Sequence, residues 1–160
     1  MSKISRKILF SFAFVVLLAA GFIRDFFMLN VNHVLYHLTK GFPNVSPDSF
    51  HFLEQWSIPQ IMTLKWFLTI IFFLFFWLVS YAVLKLYFIE KGQKVNVISY
   101  IYMGLFAIAG ILYVVGYLFG LSKSMYHIVR TLTGLTHTFL PAMVAFLFLR
   151  YFPQEKSTTK

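Results

Sequence analysis

Five histidines are the side chains of this sequence best suited to chemistry. They are His33, His37, His51, His127 and His137. They stand in or beside strongly apolar segments, where an ionisable group is energetically expensive and therefore seldom incidental. An imidazole changes its charge near neutral pH and is also a common metal ligand. The sequence therefore indicates a polar site in apolar surroundings, and we expect all five histidines toward one face of a membrane.

Metal binding is the first chemistry that these side chains allow. His33 and His37 are four residues apart, and a helix would present both imidazoles on one face to a single ion. Asp25 or Glu54 would add a carboxylate. The candidate metal ligands are His33, His37, His127 and His137. Because the chain has no cysteine, thiolate-ligated metals, disulfides and thiol catalysis are excluded.

Haem binding is a second option, because one or two histidines at a suitable depth can serve as axial ligands. His137 is expected deep in the last helix, and His33 would oppose it from the first helix. Gly134 would leave room for the flat macrocycle, and the abundant phenylalanines would suit the walls of a haem pocket.

Acid–base catalysis without a metal is a third option. His127 or His137 would act as the base, and Asp25 would orient the imidazole. Arg130 would hold an anionic group of a lipid headgroup or a lipoprotein at the outer leaflet. These four residues are the candidate catalytic set of a small membrane-embedded enzyme.

A non-catalytic role accounts for the same residues without a reaction. Polar groups in apolar helices also occur where subunits of a membrane complex meet, and Asp25 and Arg130 would then hold helices together. We favour this interpretation, a subunit or accessory of a larger membrane complex, with a membrane-protein partner or a second copy. A transporter is less favoured, because the sequence has no evident inverted repeat.

The composition indicates an all-α integral membrane protein. Of the 160 residues, 59% are hydrophobic and 21% aromatic, including 21 phenylalanines. Only 12% are charged, against about 25% in soluble domains. The net charge is +9, but the basic residues mostly flank apolar segments, so nucleic acid is not an expected partner.

Four apolar runs predict four transmembrane helices in an antiparallel bundle, each long enough for the ~20 residues that a span needs. Their expected bounds are about 8–38, 59–88, 95–119 and 125–150. Residues 1–152 would form one domain, followed by a disordered polar tail over 153–160.

Local signals predict the connections between these helices. Residues 47–56 are expected to form a short interfacial helix with its aromatic side, Phe50 and Trp56, toward lipid. Ser57 and Gln60 have the spacing of a capping box at the start of the second span. Pro141 is expected to kink the fourth helix.

Two small residues in the third predicted helix suggest close helix packing. Gly116 and Gly120 are four residues apart, a spacing that lets another helix approach closely. We expect this contact to lie within the bundle.

Basic residues predict the orientation, because Lys and Arg concentrate on the cytoplasmic side of membrane proteins. They cluster near the amino terminus, in the 85–94 turn and in the carboxyl tail. Both termini are therefore expected in the cytoplasm. The general character resembles multi-pass inner-membrane proteins of Gram-negative bacteria with AT-rich genomes.

The charged residues inside the spans predict how the first and last helices face each other. Counting from the cytoplasmic ends at about 1.5 Å per residue places Asp25 and Arg130 at similar heights, roughly 25 to 28 Å. An unpaired charge at that depth is costly. We expect Asp25 to pair with Arg130 across the bundle, or else with the adjacent Arg24, and we favour the cross-helix pair.

Overall fold

The computed structural model describes residues 3–88 and 94–151, and these residues form helices joined by short connections, with no strand among them. The elements are α1 (Lys3–Lys40), a 3₁₀ helix (Asp48–Gln55), α2 (Ile58–Tyr87), α3 (Val97–Leu118), α4 (Ser122–Thr136) and α5 (Leu140–Tyr151). The expected all-α class is confirmed. The predicted polar tail over 153–160 lies outside the described residues.

Three of these helices are long and apolar enough to cross a membrane. They cover Ile8–Lys40, Ile58–Tyr87 and 94–118, and few of their residues are buried within the protein. A fourth span requires α4 and α5 to be counted together, although the two helices meet at an angle of 60°. The described chain therefore has three to four candidate spans.

The predicted fourth helix is interrupted at residues 137–139, so it consists of two helices. The last turn of α4 tightens, since the His137 and Thr138 amides donate to carbonyls three residues back. Thr138 then starts α5, because its hydroxyl accepts a hydrogen bond of 3.2 Å from the Leu140 amide. Pro141 has no amide hydrogen to continue the α4 pattern. The expected kink is thus a complete break.

The start of α2 follows the expected capping pattern. The Ser57 amide donates to the Gln60 side-chain oxygen over 2.8 Å, and the Ser57 hydroxyl donates to the same oxygen over 2.9 Å. Pro59 stands in the first turn, where its missing amide hydrogen has no cost.

The short helix before α2 differs from its expected orientation. It is a 3₁₀ helix, and its Phe50 and Leu53 side chains are buried against Val31 and Val34 of α1. The expectation that Phe50 faces lipid is therefore wrong. A 3₁₀ helix has three residues per turn, so Phe50 and Leu53 form one row, and that row packs on the carboxyl-terminal part of α1.

The main core lies between α1, α2, α3 and α5. Phe76 and Tyr102 are fully buried there, and the Tyr102 hydroxyl is 3.1 Å from the Ser80 hydroxyl. Phe10 contacts Phe146 with ring centroids 4.8 Å apart, which brings α1 to α5. This core holds α5 in the bundle, so residues 137–139 lie among the other helices.

Close packing of α3 on α4 depends on Gly116. A Cβ atom at this position would lie 2.7 Å from the Met125 Cβ atom, so no larger residue fits without movement. The expected contact within the bundle is present for Gly116. Gly120 has a different role, because its φ of +68° lets the chain turn between the two helices.

Replacing Gly116 with Val is therefore expected to lower the free energy of unfolding by about 1–3 kcal/mol through overpacking. The control is Gly110→Val in the same helix, where an added Cβ atom meets nothing within 4 Å. Denaturation in mixed micelles would measure both variants. Equal losses at the two positions would show that α3 and α4 are not closely packed at Gly116.

Candidate functional site

His137 is the most buried of the five histidines and stands at the break between α4 and α5. Only 1% of its surface is exposed, and neither ring nitrogen has a hydrogen-bond partner within the described chain. The main chain of Thr69 in α2 lies near the ring without meeting the geometry of a hydrogen bond. Buried polar groups without partners are rare in proteins and call for an explanation.

An ion pair on α1 lies within electrostatic reach of the His137 ring. An Nη1 atom of Arg24 donates to Oδ1 of Asp25 over 2.6 Å, and both charges act on His137. The Nε atom of Arg24 is buried and has no partner in the described residues. The Arg24 side chain is 20% exposed, whereas that of Asp25 is 69% exposed. The pair therefore has one end inside the bundle and one on its outer surface.

The favoured pairing of Asp25 with Arg130 is wrong, and the adjacent alternative, Arg24, is the partner that the structure gives. Arg24 and Asp25 are consecutive residues of α1, so their contact does not depend on how α1 is rotated relative to α4. Arg130 is exposed on α4, and the charged group that acts on it lies on α2, at Lys65.

The other four histidines have surroundings that differ from those of His137. His37 Nδ1 is 2.7 Å from the Phe42 carbonyl oxygen, and His51 Nε2 is 3.2 Å from the Ser46 carbonyl oxygen. His33 is partly buried with an unpartnered Nδ1, and His127 is exposed on α4. No group of three His, Asp or Glu side chains within residues 3–88 and 94–151 could hold a metal ion.

The candidate catalytic residues are only partly brought together. The charge of Asp25 acts on His137, but the Asp25 carboxylate accepts its hydrogen bond from Arg24 rather than from an imidazole. His127 and Arg130 lie on the exposed side of α4. The described contacts therefore do not join these four residues into one catalytic site. Catalysis and haem ligation stay predictions.

Two residues of α2 belong to this polar region and were missed by the sequence analysis. The main chain of Thr69 lies near the His137 ring, and the charge of Arg130 acts on Lys65. Lys65 had a detectable signal, since it is the only charged residue between Glu54 and Lys85. Thr69 had none, because a threonine that donates to the Lys65 carbonyl, here over 2.9 Å, is ordinary in an apolar helix.

The candidate site is thus a polar layer inside apolar helices, with His137 and Arg24 at its centre and Asp25 at its surface. No family model matches the chain, and no curated protein and no solved structure matches it either.

Proposed function

We propose that this protein is a non-catalytic subunit or accessory of a larger membrane complex and contacts its partner through the surface of α1 around Asp25. In this proposal α1, α2, α3 and the broken pair α4–α5 are four spans of an antiparallel bundle. Both termini face the cytoplasm, and the membrane is a bacterial inner membrane. The observation that carries the proposal is the exposed carboxylate of Asp25.

The depth of Asp25 follows from the length of its helix. The apolar segment of α1 runs over 33 residues, from Ile8 to Lys40. A stretch of about 20 residues inside the hydrocarbon core must then begin no later than residue 21 and end no earlier than residue 27. Every such stretch contains Asp25, whichever way α1 is shifted along the membrane normal.

A carboxylate at that depth is costly when it faces lipid. Insertion scales put the cost at about 3 kcal/mol for a carboxylate at the centre of a span, and the cost falls toward either interface. Arg24 supplies one hydrogen bond, but 69% of the Asp25 side chain remains uncovered by the protein. A partner helix that donates a hydrogen bond at this level would remove most of that cost.

The surface around Asp25 suits a helix from another protein. Phe22, Phe26 and Leu29 are exposed beside it and offer apolar packing above and below the carboxylate. A second copy of this chain is less suitable, because a two-fold contact centred on Asp25 would place two carboxylates together. The partner we infer is therefore a different membrane protein with a donor side chain at the same depth.

Site-specific photo-crosslinking in native membranes tests this proposal. Benzoylphenylalanine in place of Phe22 or Leu29 should give an adduct with one distinct membrane protein. Leu78 of α2 provides a matched control, since it is 55% exposed and Leu29 is 56% exposed. The control position should give lipid adducts only.

Asp25→Asn makes the test specific to the carboxylate. The α1 adduct should weaken about tenfold in this variant, the loss expected when one charge-assisted hydrogen bond is removed. Three results would contradict the proposal. They are lipid adducts alone at positions 22 and 29, a crosslinked dimer of this chain, and an adduct whose yield is the same with and without Asp25→Asn.

A further inference from the structure

We propose that Lys65 of α2 and Arg130 of α4 together bind a phosphate group at the edge of the membrane. The ligand chemistry is a phosphate, supplied either by a lipid headgroup or by a free phosphate anion. This site is separate from the Asp25 surface and does not depend on a protein partner, so the purified chain is enough to test it.

The packing of α2, α3 and α4 brings the two cations to one level. The Trp66 ring, next to Lys65, contacts the Tyr113 ring of α3 with centroids 6.0 Å apart. One turn further along α3, Gly116 packs on Met125 of α4. Because α3 and α4 are antiparallel, Tyr113 is opposite the turn of α4 that leads to Arg130. Helices α2 and α4 also contact each other directly.

Neither cation has a negative partner in the described chain. Asp25 binds Arg24, Asp48 lies 3.8 Å from the His51 Nδ1 atom, and Glu54 accepts a hydrogen bond from Asn44. These are the three carboxylates in residues 3–88 and 94–151. The two like charges instead repel each other across the helix contact. An anion between them would add two attractions that outweigh this repulsion.

Aromatic residues place the cation pair at the headgroup level. Trp66 and Tyr113, beside Lys65, and Tyr126 of α4 are exposed, whereas Tyr87 stands at the other end of α2. Trp and Tyr concentrate at the two membrane interfaces. From Trp66 to Tyr87 the helix rises about 32 Å, which matches a hydrocarbon core of about 30 Å. Lys65 and Arg130 thus lie where lipid phosphates lie.

The chemistry of the two side chains suits a phosphate group. A guanidinium binds two phosphate oxygens at once, and an ammonium adds a compact charge on the third. Arg130 is exposed and Lys65 partly buried, so an anion can approach from the membrane edge. His127, three residues from Arg130, is exposed too and offers a further donor.

Trp66 provides a local reporter for binding. The chain has three tryptophans, so Trp56→Phe with Trp77→Phe leaves only the one beside Lys65. This protein, in phosphatidylcholine nanodiscs, would be titrated with dioctanoyl phosphatidic acid and, separately, with inorganic phosphate. We expect a saturable change in Trp66 fluorescence. A response to phosphatidic acid alone identifies the lipid headgroup as the source, and a response to both probes includes free phosphate.

Charge variants decide whether these two residues form the site. Lys65→Gln with Arg130→Gln should weaken binding at least about tenfold, and each single change about three- to tenfold. The exchange Lys65→Arg with Arg130→Lys keeps both charges and should therefore bind phosphate more tightly than the double glutamine variant. The matched control is Lys85→Gln with Arg150→Gln, which removes two cations near the opposite end of α2 and the end of α5.

Three results would overturn the proposal. The first is unchanged affinity in the single and double glutamine variants. The second is an equal loss in the Lys85 and Arg150 control, which would indicate attraction to net charge alone. The third is the absence of a saturable response to both phosphate probes.

Discussion

Replacing Arg24 with Met should be among the most destabilising single changes in α1. The substitution leaves Asp25 as an unpaired carboxylate within every 20-residue stretch that can cross the membrane. We expect the free energy of unfolding to fall by up to about 3 kcal/mol, which is the cost of a carboxylate at the very centre of a span. The lost hydrogen bond is short, at 2.6 Å between Nη1 and Oδ1, and both of its charges act on His137.

The double variant Arg24→Met with Asp25→Leu distinguishes charge pairing from packing. Removal of both charges should restore most of the lost stability, since a well-packed apolar pair often replaces an ion pair at little cost. Denaturation in mixed micelles would give the free energies for a double-mutant cycle. Additive losses in the cycle would mean that Arg24 stabilises α1 by packing rather than through Asp25.

Replacing His137 with Leu should stabilise the protein, which is the opposite of the usual effect of a core substitution. Both imidazole nitrogens are buried without a partner, and a buried polar group in that state costs about 1–3 kcal/mol. Leucine has no polar atom to leave unsatisfied, so the free energy of unfolding should rise by a similar amount. The same denaturation experiment measures it.

The exposed His127 gives the control for this substitution. His127→Leu makes the same chemical change on the outer side of α4 and should alter stability by no more than about 0.5 kcal/mol. If His137→Leu instead lowered stability by several kcal/mol, the ring would have a bound partner, such as an ordered water or an ion, in the folded protein.

The features that the sequence predicted well depend on residues close together in the chain. Long apolar runs identify α1, α2 and α3 because the hydrocarbon core demands about 20 such residues whatever their neighbours. The spacing of Ser57 and Gln60 predicts the hydrogen bonds between them, since both residues lie in the same helical turn. Pro141 predicts a disturbance of the last helix because its missing amide hydrogen is a property of the residue.

The candidate site was harder to predict, because it depends on how helices are rotated about their axes. The polar side of α4 was expected to face α1, yet His127 and Arg130 are exposed. The opposite side of α4 packs on α3, where Gly116 permits a close approach to Met125. The absence of a Cβ atom at one glycine thus helps to decide which way the charged side of another helix points.

By itself the sequence determined an all-helical chain with long apolar segments, for which it predicted four spans, and it marked His137, Asp25 and Arg130 as polar groups in apolar surroundings. Tertiary structure alone decided that Asp25 pairs with Arg24, that His137 is buried without a partner, and that Lys65 is the neighbour of Arg130. The physical reason is that a membrane helix is apolar on nearly all sides. Its periodicity therefore carries little information about which face meets which neighbour, and close packing makes that choice.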